Sequence, residues 1–289
     1  MNSMNKIVLI TGGAGFIGSN LCERLVDSGN HKVFSLDNYF TGKEENHIKG
    51  VTYIKGNTSE INSLINFKPD YLYHLGEYSR VEQSFNDIEL VNKLNISSIY
   101  HVLNFCKKNS SKLIYSGSST KFGDGGSSKN SSPYSWSKYI NSELVKNYSK
   151  WYGLNYAITY FYNVYGGREI SSGKYATLIG IFTEKSKNNK KLTVTSPGTQ
   201  IRNFTHIDDI VSALILIGDK GTGDNFGIGH HDNFSILEVA KMFKCEIEMT
   251  PEKDGNRSHA DLVTEKTLNL GWKPNHNLKN YIKKIINAK

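Results

Sequence analysis

The segment Lys6–Gly18, KIVLITGGAGFIG, limits what this chain can fold into more than any other stretch. Ile7–Ile10 form a short apolar run expected as a buried parallel strand, and it breaks directly into a glycine-rich turn. Gly12, Gly15 and Gly18 carry the spacing G-x-x-G-x-x-G, and Asn20–Gly29 continue as a helix with Leu21 and Leu25 on its inner face. Strand, glycine turn and helix in that order make a dinucleotide cradle. Glycines let the backbone turn tightly and approach a pyrophosphate, and the helix start offers unpaired N–H groups to its charge.

The same strand-then-helix rhythm repeats through the first half of the chain. Strands are expected at Ile7–Ile10, Lys32–Leu36, Val51–Lys55, Tyr71–His74, Lys112–Ser116 and Tyr156–Phe161, with long helices near Ile88–Lys108 and Tyr134–Tyr152. Such alternation predicts an α/β fold, a Rossmann-like doubly wound parallel sheet with its ligand crevice at the carboxyl ends of the strands. After about Tyr162 the rhythm stops. Helices near Lys174–Lys187, Ile207–Gly218, Ser235–Phe243 and Leu278–Asn287 are separated by irregular polar segments. The expected division is a dinucleotide-binding domain over 1–162, to which segments near 203–230 (Asn225–Gly229 as a strand) return, and a smaller mixed α/β substrate lobe over 163–289. Gly123–Ser132, GDGGSSKNSS, reads as a flexible loop.

Bulk properties narrow the class further. The 289 residues are enough for a large core, and a mean hydropathy of −0.45 fits a soluble globular protein. No apolar run approaches a membrane span, and the first residues carry no signal-peptide pattern. Three widely spaced cysteines, Cys22, Cys106 and Cys245, lack metal-ligand spacing and point to a reducing cytoplasm, so neither a membrane partner nor a metal is expected. The net charge of +8 is partly concentrated in Lys185–Lys191 and Lys279–Lys289, runs with few interleaved aromatics and no readable nucleic-acid motif. Nucleic acid is therefore not an expected partner, whereas an anionic substrate suits the mild positive field.

Several residues carry chemistry by position. Asp37 ends the second strand, where a carboxylate accepts hydrogen bonds from ribose hydroxyls and repels a 2′-phosphate; a turn or helix cap is the alternative. Asn57 follows the third strand and either contacts adenine or makes a turn. Tyr134 and Lys138, in YSWSK, are four residues apart and share one helix face, so an ammonium can favour the phenolate and make the tyrosine a proton acceptor. Taken alone, the pair is also a common surface combination. A hydroxyl from Ser116-Gly-Ser118-Ser119-Thr120, at the end of the fifth strand, can hydrogen-bond the same substrate group.

With these residues in place the chain resembles the extended short-chain dehydrogenase/reductases of the NAD-dependent epimerase/dehydratase type, which act on nucleotide sugars. TGGAGFIG, SPYSWSK, FYNVYGGR, RNFTHIDD and LGW look like family blocks in family order over nearly the whole length. The resemblance implies that Gly12, Gly15, Phe16 and Ile17 line the NAD pyrophosphate, with Asp37 and Asn38 at the adenosine ribose. It implies Ser118 as the catalytic hydroxyl, Tyr134 as the base, and Lys138 as the residue that holds the nicotinamide ribose. Asn163 and Arg202 would meet the diphosphate of the sugar nucleotide, with Lys253 or Arg257 as a further cation. The same likeness implies a homodimer, paired through helices Ile88–Lys108 and Tyr134–Tyr152, with Ile96, Ile99, Leu103, Ile140 and Leu144 as candidate contacts.

The departures from the pattern bear on the reaction. Ser118-Ser119-Thr120 stand where 4,6-dehydratases carry Thr-Asp-Glu, so the acids that drive elimination are missing. Lys121 and Phe122 replace an apolar–tyrosine pair, and Tyr160 replaces a commonly basic residue. Glu77, in HLGEYSRV after His74, stands where a small residue is common; it is either a buried acid beside the reacting sugar or a half-exposed loop residue. The expectation is an enzyme that oxidises a UDP- or GDP-linked sugar at C4, foremost as a 4-epimerase. A C4 dehydrogenase releasing a 4-keto sugar is the alternative, ahead of a 4,6-dehydratase, with a non-catalytic NAD-sensing protein as the alternative of another class.

Overall fold

The computed structural model describes residues 6–252 and 258–288. Seven parallel strands form the main sheet: β1 Lys6–Thr11, β2 His31–Asp37, β3 Val51–Lys55, β4 Tyr71–His74, β5 Lys112–Ser118, β6 Tyr156–Phe161 and β7 Gly223–Ile228. Their spatial order is β7-β6-β5-β4-β1-β2-β3. The chain winds outward from β1 in both directions, so the crevice opens beyond the carboxyl ends of β1 and β4, where the winding reverses.

Alternation along β1 explains why both faces are covered. Successive side chains point to opposite sides of a strand. Val8 and Ile10 pack with Leu21 and Leu25 of helix α1 (Phe16–Asp27) and with later residues Ile210 and Leu214. Leu9 points the other way, into a cluster with Leu103 of α2 (Ser98–Asn109) and Val145 of α3 (Pro133–Tyr152). A third cluster, built on Tyr165, Phe182, Val194 and Phe243, holds the lobe that contains α4 (Leu178–Lys187). Helix α5 (Ile207–Lys220) and β7 leave that lobe and pack with the main sheet. Helix α6 (Leu278–Asn287) follows, with Leu278 and Ile282 buried in the third cluster.

Several expected elements differ. The first helix begins at Phe16 and ends at Asp27, because Gly15 serves as its N-cap. The helix expected over Ile88–Lys108 is a short turn at Ile88–Val91, a widened π-helical turn at Asn92–Ser97, and then α2. Buried Asn95 sits in the widened turn and binds the Tyr78 N–H and C=O and the Ser137 hydroxyl. The helix expected from Lys174 begins only at Leu178, since Gly173 (φ +82°) and the Thr177 N–H bond to Ile170 O hold the preceding residues in a turn. The glycine-serine stretch forms 3₁₀ turns over Asp124–Asn130 instead of an open loop. Asp124 anchors it, accepting from the Ser128 hydroxyl (2.7 Å) and from the Ser258 N–H (3.1 Å). Ile99 and Leu103 face the sheet core, which removes them as contacts for a partner.

Candidate active site

Between the strand ends and the lobe lies a cavity of about 510 Å³. Its floor is the glycine turn. Gly12 has φ +76°, and a Cβ there would meet the Gly76 backbone at 2.9 Å. A Cβ on Gly18 would come within 2.1 Å of Gly12 O, so only glycine lets α1 seat this close to the turn. Asp37 accepts the Ala14 N–H (2.9 Å) on one carboxylate oxygen and the Tyr39 N–H (2.8 Å) on the other. Burial pushes its carboxyl above the usual range, against the pull of those two N–H groups. Asp37 therefore closes a turn and staples the glycine loop, and it also lines the cavity, where its remaining lone pairs face a ligand. This cradle fits a dinucleotide.

Asn38 lines the cavity too, but Asn57 does not. The Asn57 amide receives Asn38 Nδ2 (3.1 Å) and donates to Glu60 (3.0 Å), so its hydrogen bonds fill the turn role.

Three side chains expected to act together converge on the cavity wall. Ser132 caps α3 by accepting the Ser135 N–H (3.1 Å), and Pro133 opens the helix. Tyr134 is thereby fixed in the first turn and Lys138 one turn later on the same face. Ser118, at the end of β5, lines the cavity beside them and accepts from the Thr120 hydroxyl (2.9 Å). Ser119 lies on the same wall.

Glu77 is the buried acid of the two alternatives, but its oxygens are committed beneath the site. Its side chain is 2% exposed. Lys138 Nζ and the Tyr115 hydroxyl (3.0 Å) donate to Oε2, Asn141 Nδ2 (3.0 Å) donates to Oε1, and His74 Nε2 lies 3.5 Å from Oε1. Burial alone would raise this carboxyl; the Lys138 ammonium, followed by His74, outweighs it and holds the group at about 2. Glu77 thus grips the active-site lysine, and it also lines the cavity, as the substrate contact expected of it requires. His74 is itself fully buried, with Nδ1 2.7 Å from the Thr11 hydroxyl.

Among the residues after β6, Asn163 donates to Asn203 O (2.8 Å), and Arg202 donates to Ile201 O (2.9 Å) and Ser258 O (3.2 Å). Both line the cavity, as a diphosphate contact requires. Lys253 and Arg257 lie outside the described residues. Two cavity residues were missed in the sequence, Arg80 and Glu169. Glu169 accepts from the Thr177 hydroxyl and from the Gly166 N–H (3.3 Å), and burial pushes its carboxyl up to about 7. The signal was a charged residue inside the segment HLGEYSRV for Arg80, and one immediately after the block FYNVYGGR for Glu169.

Other departures turn out to be partners of one another. Lys121 Nζ donates to the Tyr160 hydroxyl (3.0 Å) and to Asp224 (2.7 Å), and Tyr160 donates to Asp224 (2.7 Å). This network ties β5, β6 and β7 together and does not line the cavity. The block ends Asp209 and Trp272 are likewise structural: the indole N–H donates to Asp209 O (3.0 Å), and the Asp209 carboxylate accepts the Asn275 and His276 N–H groups (both 3.0 Å).

Comparison with known proteins agrees with this geometry. Residues 8–229 match the model of the NAD dependent epimerase/dehydratase family. The crystal structure of UDP-glucose 4-epimerase with UDP-glucose from Thermotoga maritima superposes with a TM-score of 0.88, at 27% identity and covering 97% of each chain. A UDP-N-acetyl-alpha-D-glucosaminuronate decarboxylase of Bacillus cytotoxicus is 32% identical over 82% of this chain and 79% of its own. UDP-glucuronic acid decarboxylase 3 of Arabidopsis thaliana is 28% identical over 93% of this chain and 85% of its own.

Proposed function

The chain belongs to the NAD-dependent epimerase/dehydratase family, and from that membership we propose that it is a 4-epimerase of a UDP-linked sugar. The observation that carries the reading is that Ser118, Tyr134 and Lys138 all line one cavity together with the glycine cradle. NAD is the cofactor, and when bound it supplies reversible hydride acceptance at C4 of the sugar. Gly12, Gly15, Phe16 and Ile17 would hold its pyrophosphate, and Asp37 and Asn38 its adenosine ribose.

The chain's own residues supply the rest. Tyr134 accepts the proton of the C4 hydroxyl and later returns it. Ser118 hydrogen-bonds the same oxygen and keeps it oriented. Lys138, held by Glu77, stands beside Ser116 (3.5 Å) at the base of the pocket, where the nicotinamide ribose would lie. Arg202 and Asn163 bind the diphosphate, for which a guanidinium fork is well shaped. Inversion at C4 requires the ring to present its other face between proton loss and return, with the diphosphate still anchored. Elimination is disfavoured because Ser119 and Thr120 offer hydroxyls where it needs carboxyl groups.

Two further assignments belong to this reading. No helix among the described residues is long and apolar enough to cross a membrane. The three free thiols support a reducing cytoplasm. A homodimer through α2 and α3 is supported by Tyr100, Trp151 and Tyr152, which are 56%, 59% and 51% exposed there; sedimentation at micromolar concentration tests it.

The decisive experiment incubates the NAD-loaded enzyme with UDP- and GDP-sugars and follows both product and cofactor. A C4 epimer with NAD regenerated supports the proposal. A ketone or its hydrate, with NADH left on the enzyme, replaces it with a C4 dehydrogenase. A GDP-sugar turned over in preference to every UDP-sugar refutes the choice of base.

A further inference from the structure

We infer that the sugar ring of the substrate bears its own negative charge, a carboxylate, and that Arg80 is the cavity residue that selects it. The inference rests on the nucleotide-sugar reading above and deepens it.

Arg80 and Tyr134 line the same cavity and lie close enough to interact electrostatically. Its guanidinium is anchored by neutral groups alone. Nε donates to Tyr175 O (2.8 Å), as does Nη2, while Nη1 donates to Ser79 O (2.9 Å) and to the Ser79 hydroxyl (3.1 Å). These bonds use four of the guanidinium's five N–H groups and fix its orientation, leaving one Nη2 N–H; among the described residues no carboxylate bonds it, and Glu169 interacts with it only through space. A half-buried cation with no carboxylate bonded to it, and only Glu169, raised to about 7, acting on it through space, is costly, and a site tolerates it where a ligand brings the counter-charge.

Which part of the ligand Arg80 meets follows from its neighbours. The cofactor pyrophosphate belongs to the glycine turn and the start of α1, and the substrate diphosphate to Asn163 and Arg202. Tyr134 and Tyr175 pack into one cluster with Tyr78, and Tyr175 holds Arg80, so the guanidinium stands where the reacting ring lies. Burial pulls Arg80 below its ordinary pKa, and Tyr134, Tyr78 and Glu169 oppose that pull. The other cation on this wall, Lys138, is already answered by Glu77. In a uronic acid the carboxyl carbon is bonded to C5, the atom next to C4. A ring that offers its C4 hydroxyl to Tyr134 therefore carries the carboxylate along the same wall. A charge-assisted bond there discriminates strongly, because a neutral sugar leaves the guanidinium unpaired.

The test is calorimetric titration of the NAD-loaded enzyme with UDP, UDP-glucose and UDP-glucuronate. We expect UDP-glucuronate to bind at least about tenfold tighter than UDP-glucose. Arg80→Gln should erase that gap while leaving UDP affinity within about twofold. Arg80→Lys, which keeps the charge without the planar fork, should retain part of the gap and serves as the test should the glutamine variant not fold. Equal affinities for the two sugars in the unmodified enzyme overturn the inference and leave the nucleotide-sugar reading standing. So does an Arg80 variant that weakens UDP as much as UDP-glucuronate. Failure of all three ligands to bind overturns the UDP-sugar reading on which this inference rests.

Discussion

Lys138 donates a hydrogen bond to the Glu77 carboxylate in an ion pair whose side chains are 5% and 2% exposed. The pair is further enclosed by Tyr115, whose ring lies 4.7 Å from the ammonium and whose hydroxyl binds Glu77. Removing the acid strands a buried cation, and such losses cost about 3–5 kcal/mol. Glu77→Ala should destabilise the fold by that order in urea unfolding, whereas Glu77→Gln, which keeps an acceptor for Tyr115, should cost less. An alanine variant within about 1 kcal/mol of the parent would mean that the pair contributes little. The sign with pH is fixed too. The folded carboxyl sits near 2, below the unfolded value, so its stabilisation is complete above the unfolded pKa and is lost as pH falls toward 2.

Tyr134→Phe separates chemistry from binding. Phenylalanine preserves the packing of this ring against Tyr78 and Leu94 and deletes only the proton acceptor. Turnover of the preferred UDP-sugar should fall by about 10²–10⁴, the usual range for loss of a general acid–base group, with substrate affinity changed by less than about threefold. A phenylalanine variant with undiminished kcat would remove Tyr134 from the mechanism.

Glu169 predicts the opposite pH sign from Glu77. Burial raises its folded pKa to about 7, above the unfolded value near 4.5, so the folded state binds the proton more tightly. Its favourable contribution is complete below the unfolded pKa and declines as pH rises from there through about 7. Glu169→Gln, which stays neutral, should flatten the dependence of melting temperature on pH across that interval. Identical slopes for parent and variant would show that Glu169 is ionised at ordinary pKa in the folded protein.

What the sequence disclosed follows a physical division. Six strands were legible to within two residues, the central ones because a parallel strand buried on both faces is a continuous apolar run, as in Tyr71–His74. Gly12 and Gly18 were legible because backbone geometry admits no other residue at those places. Tyr134 and Lys138 followed from helix periodicity. By contrast, the partners of Glu77 come from β4, β5 and α3, separated by up to 64 residues, and no local pattern records such a meeting. Lys121 and Tyr160 looked like two separate oddities until Asp224 joined them. The widened turn at Asn92–Ser97 was hidden for a related reason. Asn95 is polar at a core position, and its bonds to Tyr78 and Ser137 exist only after the helices pack.

The Lys121–Tyr160–Asp224 network supplies a control for the active-site assignments. Its charged pair is 20% and 15% exposed and stands apart from the cavity lining. Burial would raise the Asp224 carboxyl, but bonds from Lys121 and Tyr160 bring it below the usual range. Asp224→Ala deletes both bonds at once and leaves the largely buried Tyr160 hydroxyl with Lys121 alone. Hydrogen bonds to charged groups contribute about 1.5–3 kcal/mol, so the variant should melt several degrees lower. Its KM and kcat at a temperature well below that melting point should match the parent, because Ser118 ends β5, an interior strand paired on both sides with β4 and β6. A changed substrate preference in this variant would mean that the network shapes the pocket after all. Unchanged constants with reduced stability would confine the role of Lys121 and Tyr160 to joining three strands.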